Sequence, residues 1–466
     1  MGTSPVEIGP GLLTRREVEV AGMVAEGLTN REIAKRLFIS ERTVDGHLEH
    51  VREKLAVNTR AQIAAWVTRQ AAPDLVAAPT TPVNRPALHW TRLRLYVWLA
   101  AALVIALVAS AVVVRLMQPM GPVITTIAGT GSAGAEYPAG SYSGDNGPAV
   151  HAQLLRPSDV AAASDGTLYI ADYGNSLVRK VDTDGIITTV AGGGLVPLTD
   201  GAHAKTVSLT FASNLAIDPQ SRSLFVLAIR AGDLEVWMIQ DSLMVFEVSL
   251  GPTSAGSLVQ FRLPVGGLAV AKDGTLYIAD RAESRIWKWA RGSKPAQYAG
   301  TGQAGFSGEG SAAIDAELNW PIGLAVDPRS GDLYIADSGN NCIRKVDRSQ
   351  RITTVVGVCG ALSGDNGDGM LASQARLSFP YGVAVDRDGN LFIADTGNNR
   401  LREVAPSGRI VALAGTGPAG IGGDHGLAIQ ATLAGPEAVT IDPHTGDLLV
   451  ADTGNQRIRR VSRLSP

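Results

Sequence analysis

Three patterns of apolar and polar positions follow one another along the chain. From Leu12 to Gln70 apolar residues recur three and four apart, the period of amphipathic helices. From Leu95 to Val114 the chain reads LYVWLAAALVIALVASAVVV, with no polar face. From Val123 onward short stretches of alternating β-branched and aliphatic residues lie between Asp-Gly and Gly-Asn turns, the signature of strands and hairpins.

The first pattern predicts four short helices. Thr14 to Glu17 and Thr29 to Glu32 are capping boxes, in which a hydroxyl and a carboxylate satisfy each other's orphan backbone amides. The first helix carries Val18, Met23 and Val24 and stops at Gly27; the second turns Ile33, Ala34 and Leu37 inward. Ser40 caps a third helix from about Glu41 to Leu55, with Val44, Leu48, Val51 and Leu55 in register, and a fourth follows Asn58-Thr59.

Two short helices joined by a tight turn, the second longer and polar on one side, match a DNA-reading geometry. The run LTRREVEVAGMVAEGLTNREIAKRLFISERTVDGHLEHVREKL resembles the LuxR/GerE-type helix-turn-helix family along its whole length, chiefly in TNREIAKRL and ISERTVDGHL. The resemblance implies that residues 1–70 form a DNA-binding domain, that the helix from Glu41 enters the major groove of double-stranded DNA, and that the module works as a homodimer. It carries a DNA-binding set of Arg42, Thr43, Val44, Asp45, Gly46, His47, Glu49, Arg52, Lys54 and Arg60. Of these, Thr43, Asp45, Gly46 and Glu49 form the groove-facing stripe, and Arg42, Arg52, Lys54 and Arg60 lie near the phosphate backbone. Lys is common in the family where Asp45 and Glu49 stand here, and acidic side chains repel phosphate. The alternative is a helical adaptor that touches no DNA. His47 and His50 lack further ligands nearby and read as surface or packing residues.

Residues 71–94 form a linker whose Pro73, Pro79, Pro82 and Pro86 make it a semi-extended tether. The uncharged stretch that follows rises about 30 Å as a helix, enough to cross a hydrocarbon core; the predicted transmembrane helix covers 95–116. Arg85, Arg92 and Arg94 precede it, and after Arg115 no Lys or Arg occurs until Arg156. That asymmetry predicts a single-pass cell-membrane protein with its N-terminus in the cytoplasm and its C-terminal body outside.

The body repeats. LYIAD (168–172), LYIAD (276–280), LYIAD (333–337), LFIAD (391–395) and LLVAD (448–452) recur with a degenerate LFVLA at 224–228. Each has a strand before it, a third such as NCIRKVD or NRLREV after it, and most a fourth such as RITTVVGV. Four strands in each of six units predict an all-β propeller. The last unit lacks its fourth strand, and a strand of that type, VITTIAG (123–129), opens the body, so the first strand is expected to complete the last blade. The repeat resembles the NHL family of propellers over nearly all of 121–466, through Pro321-Ile322-Gly323, Pro380-Tyr381-Gly382, IAD(T/S)GN and Asn399-Arg400-Leu401. The fold class is thus multidomain: a small all-α helix-turn-helix, one transmembrane helix and a six-bladed propeller. The blade at about 211–260 has lost both the Asp and the Gly-Asn turn.

Charge divides along the same line. Residues 1–120 carry 14 Lys and Arg against 10 Asp and Glu, leaving 27 against 34 for the remainder, so nucleic-acid contact belongs to the head. The recurrent Asp172, Asp280, Asp337, Asp395 and Asp452 are expected to serve turns, partnered by Arg179, Arg344, Arg402 and Arg459. SGDNG-type interblade loops lack the twelve-residue calcium pattern. The four body histidines show no zinc-site spacing, so neither cofactor nor enzyme activity is expected, although some NHL-type propellers are metal-dependent lyases. Cys342 and Cys359 form one local disulfide if they face an oxidising compartment, or remain two buried thiols. The whole reads as a membrane-anchored one-component transcription regulator whose propeller senses an extracytoplasmic glycan, peptide or protein. The alternative is an extracytoplasmic binding or scaffold protein with a head that does not bind DNA.

Overall fold

The computed structural model describes residues 13–70, 121–131, 142–210, 212–252 and 266–463. They fall into two compact units separated near residue 113. The linker and the apolar stretch at 95–114 lie outside the described residues; among those described, no helix is long and apolar enough to cross a membrane.

The head has four helices: α1 (Arg15–Ala25), α2 (Asn30–Leu37), α3 (Glu41–Leu55) and α4 (Arg60–Gln70). Both predicted capping boxes form, with the Thr14 and Thr29 hydroxyls accepting the Glu17 and Glu32 amides and each glutamate accepting the cap amide. Ser40 caps α3. The turn between α2 and α3 passes through Phe38, left-handed at φ 55° and almost fully exposed. Val20, Val24, Ile33, Val44, Leu48, Val51 and Ile63 meet in one core.

The body is a ring of six antiparallel sheets, four with four strands and two with five. The opening strand Val123–Ala128 pairs with Arg457–Ser462, bringing Val123 opposite Ser462, and closes the ring as the strand count predicts. Each sheet is a two-faced layer, so apolar residues cluster between neighbouring blades and not in one central core. Ala161, Ala171 and Val178 of blade one, for instance, pack on Leu215, Val226 and Trp237 of blade two.

The motif IADxGN folds in the same way in blades one, four, five and six. In blade five, Asp395 accepts from the Ser378 amide at 2.8 Å and the Asn398 side chain at 2.8 Å, tying the incoming segment to the turn after the second strand. Asp172, Asp337 and Asp452 do the same with Leu155 and Asn175, Asn319 and Asn340, and Ala434 and Asn455. Glycine is required between them: a Cβ on Gly454 would sit 2.7 Å from the Ala434 carbonyl oxygen.

A buried arginine then joins each aspartate to an interblade loop. Arg179 lies 3.4 Å from Asp172 and 2.7 Å from Asp145. Arg344 bridges Asp337 and Glu309, Arg402 bridges Asp395 with Asp365 and Asp368, and Arg459 bridges Asp452 and Asp424. The carboxylates of the SGDNG-type loops therefore face guanidinium groups. Among the described residues no cluster of His, Cys, Asp or Glu has the geometry of a metal site.

Blades two and three depart from this scheme. Registers place Trp237 opposite Val226 and Trp287 opposite Ile278, the positions that Arg179 and its equivalents occupy opposite Ile170. In blade two Ala228 replaces the aspartate, and buried Glu235 instead takes Arg230 at 2.8 Å and the Trp237 indole at 2.9 Å. In blade four Cys342 and Cys359 are joined by a disulfide closing a 17-residue separation.

Candidate functional site

Helix α3 exposes one stripe, and the stripe is shorter than the residue set carried over from the family. Arg42, Thr43, Asp45 and Glu49 are exposed; Gly46, His47 and Arg52 are half-buried. Val44 is completely buried and packs in the head's core, so it cannot touch a base; the three- and four-residue spacing that put it with Leu48 and Val51 decides its direction.

Three other members of the set are held by the head itself. Lys54 Nζ lies 2.7 Å from Glu17 on α1. Burial alone would raise the Glu17 carboxyl, but hydrogen bonds from Lys54 and Thr14 override it and hold the group below the ordinary glutamate range. Arg60 donates to the Leu28 carbonyl and to the Asn30 side chain, and Asn30 in turn donates to Asp45. This chain from α4 through α2 to α3 sets the angle between the two motif helices, and it explains an acidic residue on the stripe: Asp45 is a strut. Three cations outside the set stand exposed on α2: Arg36 is paired with Glu26 at 3.1 Å, and Arg31 and Lys35 line the groove beside Phe38. They were legible as the polar side of an amphipathic helix, but only the packing of α2 on α3 places them beside the motif turn.

The second candidate region is the axis of the propeller. The first strands of all six blades line a channel of about 300 Å³. Just before its first strand, the chain takes a left-handed conformation at Arg156, Trp320, Phe379 and Gly435, with φ between 44° and 52°. Asn341 accepts the Phe379 amide at 2.9 Å, and Asn399 accepts the Gly435 amide at 2.7 Å, so these two turns are set by the preceding blade. Two residues further on, Tyr381 and Glu437 line the channel.

Three of the six blades are stitched to the next at this level by a hydroxyl on the residue after the recurrent aspartate. Ser338 donates to the Pro380 carbonyl at 2.6 Å, Thr396 to Pro436 at 2.7 Å and Thr453 to Pro157 at 2.7 Å. Blade three has Arg281 there. Its buried guanidinium reaches the Trp320 ring (4.9 Å) and the Tyr381 ring (5.5 Å). Burial pushes the Glu437 carboxyl up to about 7, opposed by the charges of Arg156 and Arg281. Arg156 lies 3.9 Å from Glu437. Burial likewise pushes Asp159 up to about 7, against hydrogen bonds from Leu215, Val160 and Asn214.

Known proteins divide the chain in the same way. Residues 11–67 match the family model described as bacterial regulatory proteins, luxR family. Residues 113–231 match the teneurin NHL domain, and 318–346 and 377–403 match the NHL repeat. The N-terminal unit is thus a LuxR-type helix-turn-helix, and the body is a six-bladed propeller containing NHL repeats.

Among individual proteins, human teneurin-1 is 27% identical over 384 residues, covering 73% of this chain and 13% of teneurin-1. Mouse teneurin-3 is 30% identical over 256 residues, covering 48% of this chain and 9% of its own length. The chain therefore spans about an eighth of the first of these relatives. Two solved structures from Bacteroides thetaiotaomicron share the fold at a TM-score of 0.54. One, a structural genomics protein of unknown function, is 18% identical, and the other, an auxiliary nutrient binding protein, is 16% identical; each match covers 73% of this chain and 76% of the other.

Proposed function

We propose that this chain is a membrane-anchored one-component transcription regulator. The LuxR-type head reads double-stranded DNA as a homodimer in the cytoplasm, and the propeller binds a ligand outside the cell membrane. The observation that carries the reading is the coupling, in one chain, of a helix-turn-helix with an exposed α3 stripe to a propeller, through twenty uncharged residues flanked by arginines on the head side. The disulfide in blade four supports an oxidising compartment for the body. The auxiliary nutrient binding protein of similar fold supports a ligand-binding propeller. For a signal to pass, the ligand must favour the DNA-competent pairing of heads over the incompetent one.

Genome-wide crosslinking of the tagged full-length protein to DNA tests the regulator. Enriched sites lost in Arg42→Ala and Thr43→Ala are expected; no enriched site under several growth conditions overturns it. Cysteine labelling in intact cells tests the topology, which fails if residues near both ends react from the same side.

A second reading rests on Glu49 and the strut residue Asp45, which put negative charge on the groove-facing stripe. In it the head is a protein-binding adaptor and the propeller an extracytoplasmic binding or scaffold domain. A salt-insensitive head that retains no duplex DNA favours it, because phosphate contacts weaken steeply with salt.

A further inference from the structure

The chain enters the propeller at the end opposite the IADxGN turns. Val123 stands opposite Ser462, one residue beyond the Leu448–Val461 pair, whereas the Asp452–Arg457 pair marks the turn end of the same blade. The chain is already fixed at Pro122, whose carbonyl accepts the Ala428 amide at 2.7 Å. Residues 115–120 alone join this end to the uncharged stretch, a reach of at most about 20 Å. With that stretch as the membrane anchor, the entry end faces the membrane and the turn end faces away.

At the turn end, blades three, five and six each hold the loop after their fourth strand with an arginine from the third. These loops open Gly-Thr-Gly, at 300–302, 415–417 and 129–131. Arg285 donates to the Thr301 carbonyl, Arg400 to the Gly415 and Thr416 carbonyls, and Arg457 to the Thr130 carbonyl. In blade four Cys342 takes this position, opposite Asp337 as Arg400 is opposite Asp395. The loop there reads Gly357-Val358-Cys359, and the disulfide from Cys359 to Cys342 holds it in the arginine's place. A covalent tie has replaced a cation, and an exposed valine has replaced the threonine. Folding required neither change, since three other blades manage without them.

The surface around this tie is apolar and continuous. Phe306 is 41% exposed, Val358 46%, Leu362 83% and Phe379 41%. All four stand on segments bound to one turn, Asn340-Asn341. Asn340 donates its side chain to the Gly305 carbonyl at 2.7 Å, and its own carbonyl accepts the Gly360 amide at 3.0 Å. Asn341 donates to the Ala361 carbonyl at 3.3 Å and accepts the Phe379 amide at 2.9 Å. A Cβ on Gly360 would touch the Phe306 ring at 3.7 Å. The carboxylates of the adjoining loops are paired, Glu309 with Arg344, Asp365 with Arg400 and Asp368 with Arg402. Glu317 and Arg376, one of each sign, lie against Gly305 and Gly364 at the margin. Gln303, Ser307 and Ser363 are exposed around it. An apolar centre with a polar rim is the anatomy of a protein interface, and apolar side chains gathered on one surface mark a docking site. Two copies anchored in one membrane would present this patch in the same direction, so neither covers the other's. The same orientation keeps the patch off the lipid.

We propose that Phe306, Val358, Leu362 and Phe379, around the Cys342–Cys359 tie, dock an apolar segment of a separate extracytoplasmic protein. The disulfide holds the loop without placing a cation in the interface. The proposal rests on the propeller being the extracytoplasmic binding half of the chain; it adds the face, the residues and the class of partner.

The test is photocrosslinking in intact cells. The full-length chain carries p-benzoylphenylalanine in place of Ser363, beside the patch, or of Ser349, in the hairpin at the opposite end of the same blade. One protein adduct from position 363, absent from 349, is expected. That protein, identified by mass spectrometry and purified, is expected to bind the detergent-purified full-length chain. Leu362→Lys, and separately the triple variant Cys342→Arg, Val358→Thr, Cys359→Gly, should each lower adduct yield and affinity tenfold or more. The triple variant copies the tie of blades three, five and six and should melt above Cys342→Ala with Cys359→Ala. Leu362 is too exposed to bear on folding, so loss of docking is read apart from loss of fold. No adduct, an adduct with a second copy, with lipid or with a cytoplasmic protein, an equal adduct from 349, or an adduct undiminished in both variants overturns the proposal. Crosslinking to DNA in the same cells keeps the two claims apart. Enriched DNA sites without the adduct sink this inference alone, and a patch-dependent adduct without enriched sites sinks the regulator alone.

Discussion

Blades one, four, five and six are held by a buried Asp–Arg pair; blades two and three carry a tryptophan where that arginine stands. Where Arg179, Arg344, Arg402 and Arg459 stand in the first group, Trp237 and Trp287 stand in the second. The same backbone thus accepts either a charged clamp or an indole at one position. A buried ion pair must recover the desolvation of both partners, whereas an aromatic side chain stabilises by burial alone. The clamp contributes something the indole cannot: it reaches Asp145, Glu309, Asp365 or Asp424 and ties an interblade loop to the blade. In blade three, the position after the aspartate carries Arg281, which lies against the Trp320 and Tyr381 rings.

The largest effect expected on this comparison comes from breaking one clamp from one side. Arg402→Ala leaves Asp395 buried without its cation and should destabilise the propeller by about 3–5 kcal/mol in a denaturant titration. The double variant Asp395→Ala with Arg402→Trp, which copies Ala228 and Trp237 of blade two, should recover at least half of that loss. If it is no better than the single variant, the indole is not an equivalent solution.

Next is the disulfide of blade four. Reduction, or Cys342→Ala with Cys359→Ala, opens a loop of that length and should cost about 3 kcal/mol. Non-reducing gels of protein from intact cells should show the bond formed if the body lies outside as proposed.

A smaller effect follows from Glu437. Its folded carboxyl is raised by burial to about 7 from an ordinary value of 4.5, so the folded chain holds this proton more tightly than the unfolded chain. The associated stability is full below pH 4.5 and is lost as pH rises through 7. Glu437→Gln should therefore be as stable as the parent at pH 5 and more stable at pH 8, by about 1–2 kcal/mol, read from melting curves at both pH values. A parent curve that falls equally in the variant would assign the dependence to another group.

The smallest effect belongs to the loop end of a clamp. Asp365 is 37% exposed, and Asp368 also faces Arg402. Asp365→Asn should cost less than about 1 kcal/mol in the same denaturant titration. A loss as large as that of Arg402→Ala would mean that the loop, not the inner aspartate, anchors the pair.

Much of this architecture was legible in the sequence because it is local or repeated. Thr14 with Glu17 and Thr29 with Glu32 form caps three residues apart, and a cap needs nothing beyond its own turn. The missing fourth strand of blade six and the spare strand at Val123 were visible by counting, since a ring has to close. The site residues were less legible. Val44 was carried into the DNA-contacting set by position in the family motif, while its packing direction places it in the core. Lys54 and Arg60 read as phosphate contacts because both are cations; their bonds to Glu17 and Leu28 span 37 and 32 residues, distances over which spacing carries no information.

By itself the sequence determined the element types, the helix caps, the sixfold repeat and its closure, because these follow from periods of 3.6 and 2, from turn chemistry and from self-similarity. Tertiary structure alone decided which charged groups are struts, which side of α3 is left open, and which residues of the six first strands line one channel. The physical reason is that burial and charge pairing depend on distances through space between residues far apart in the chain. In a ring of blades, those distances exist only after the last strand has met the first.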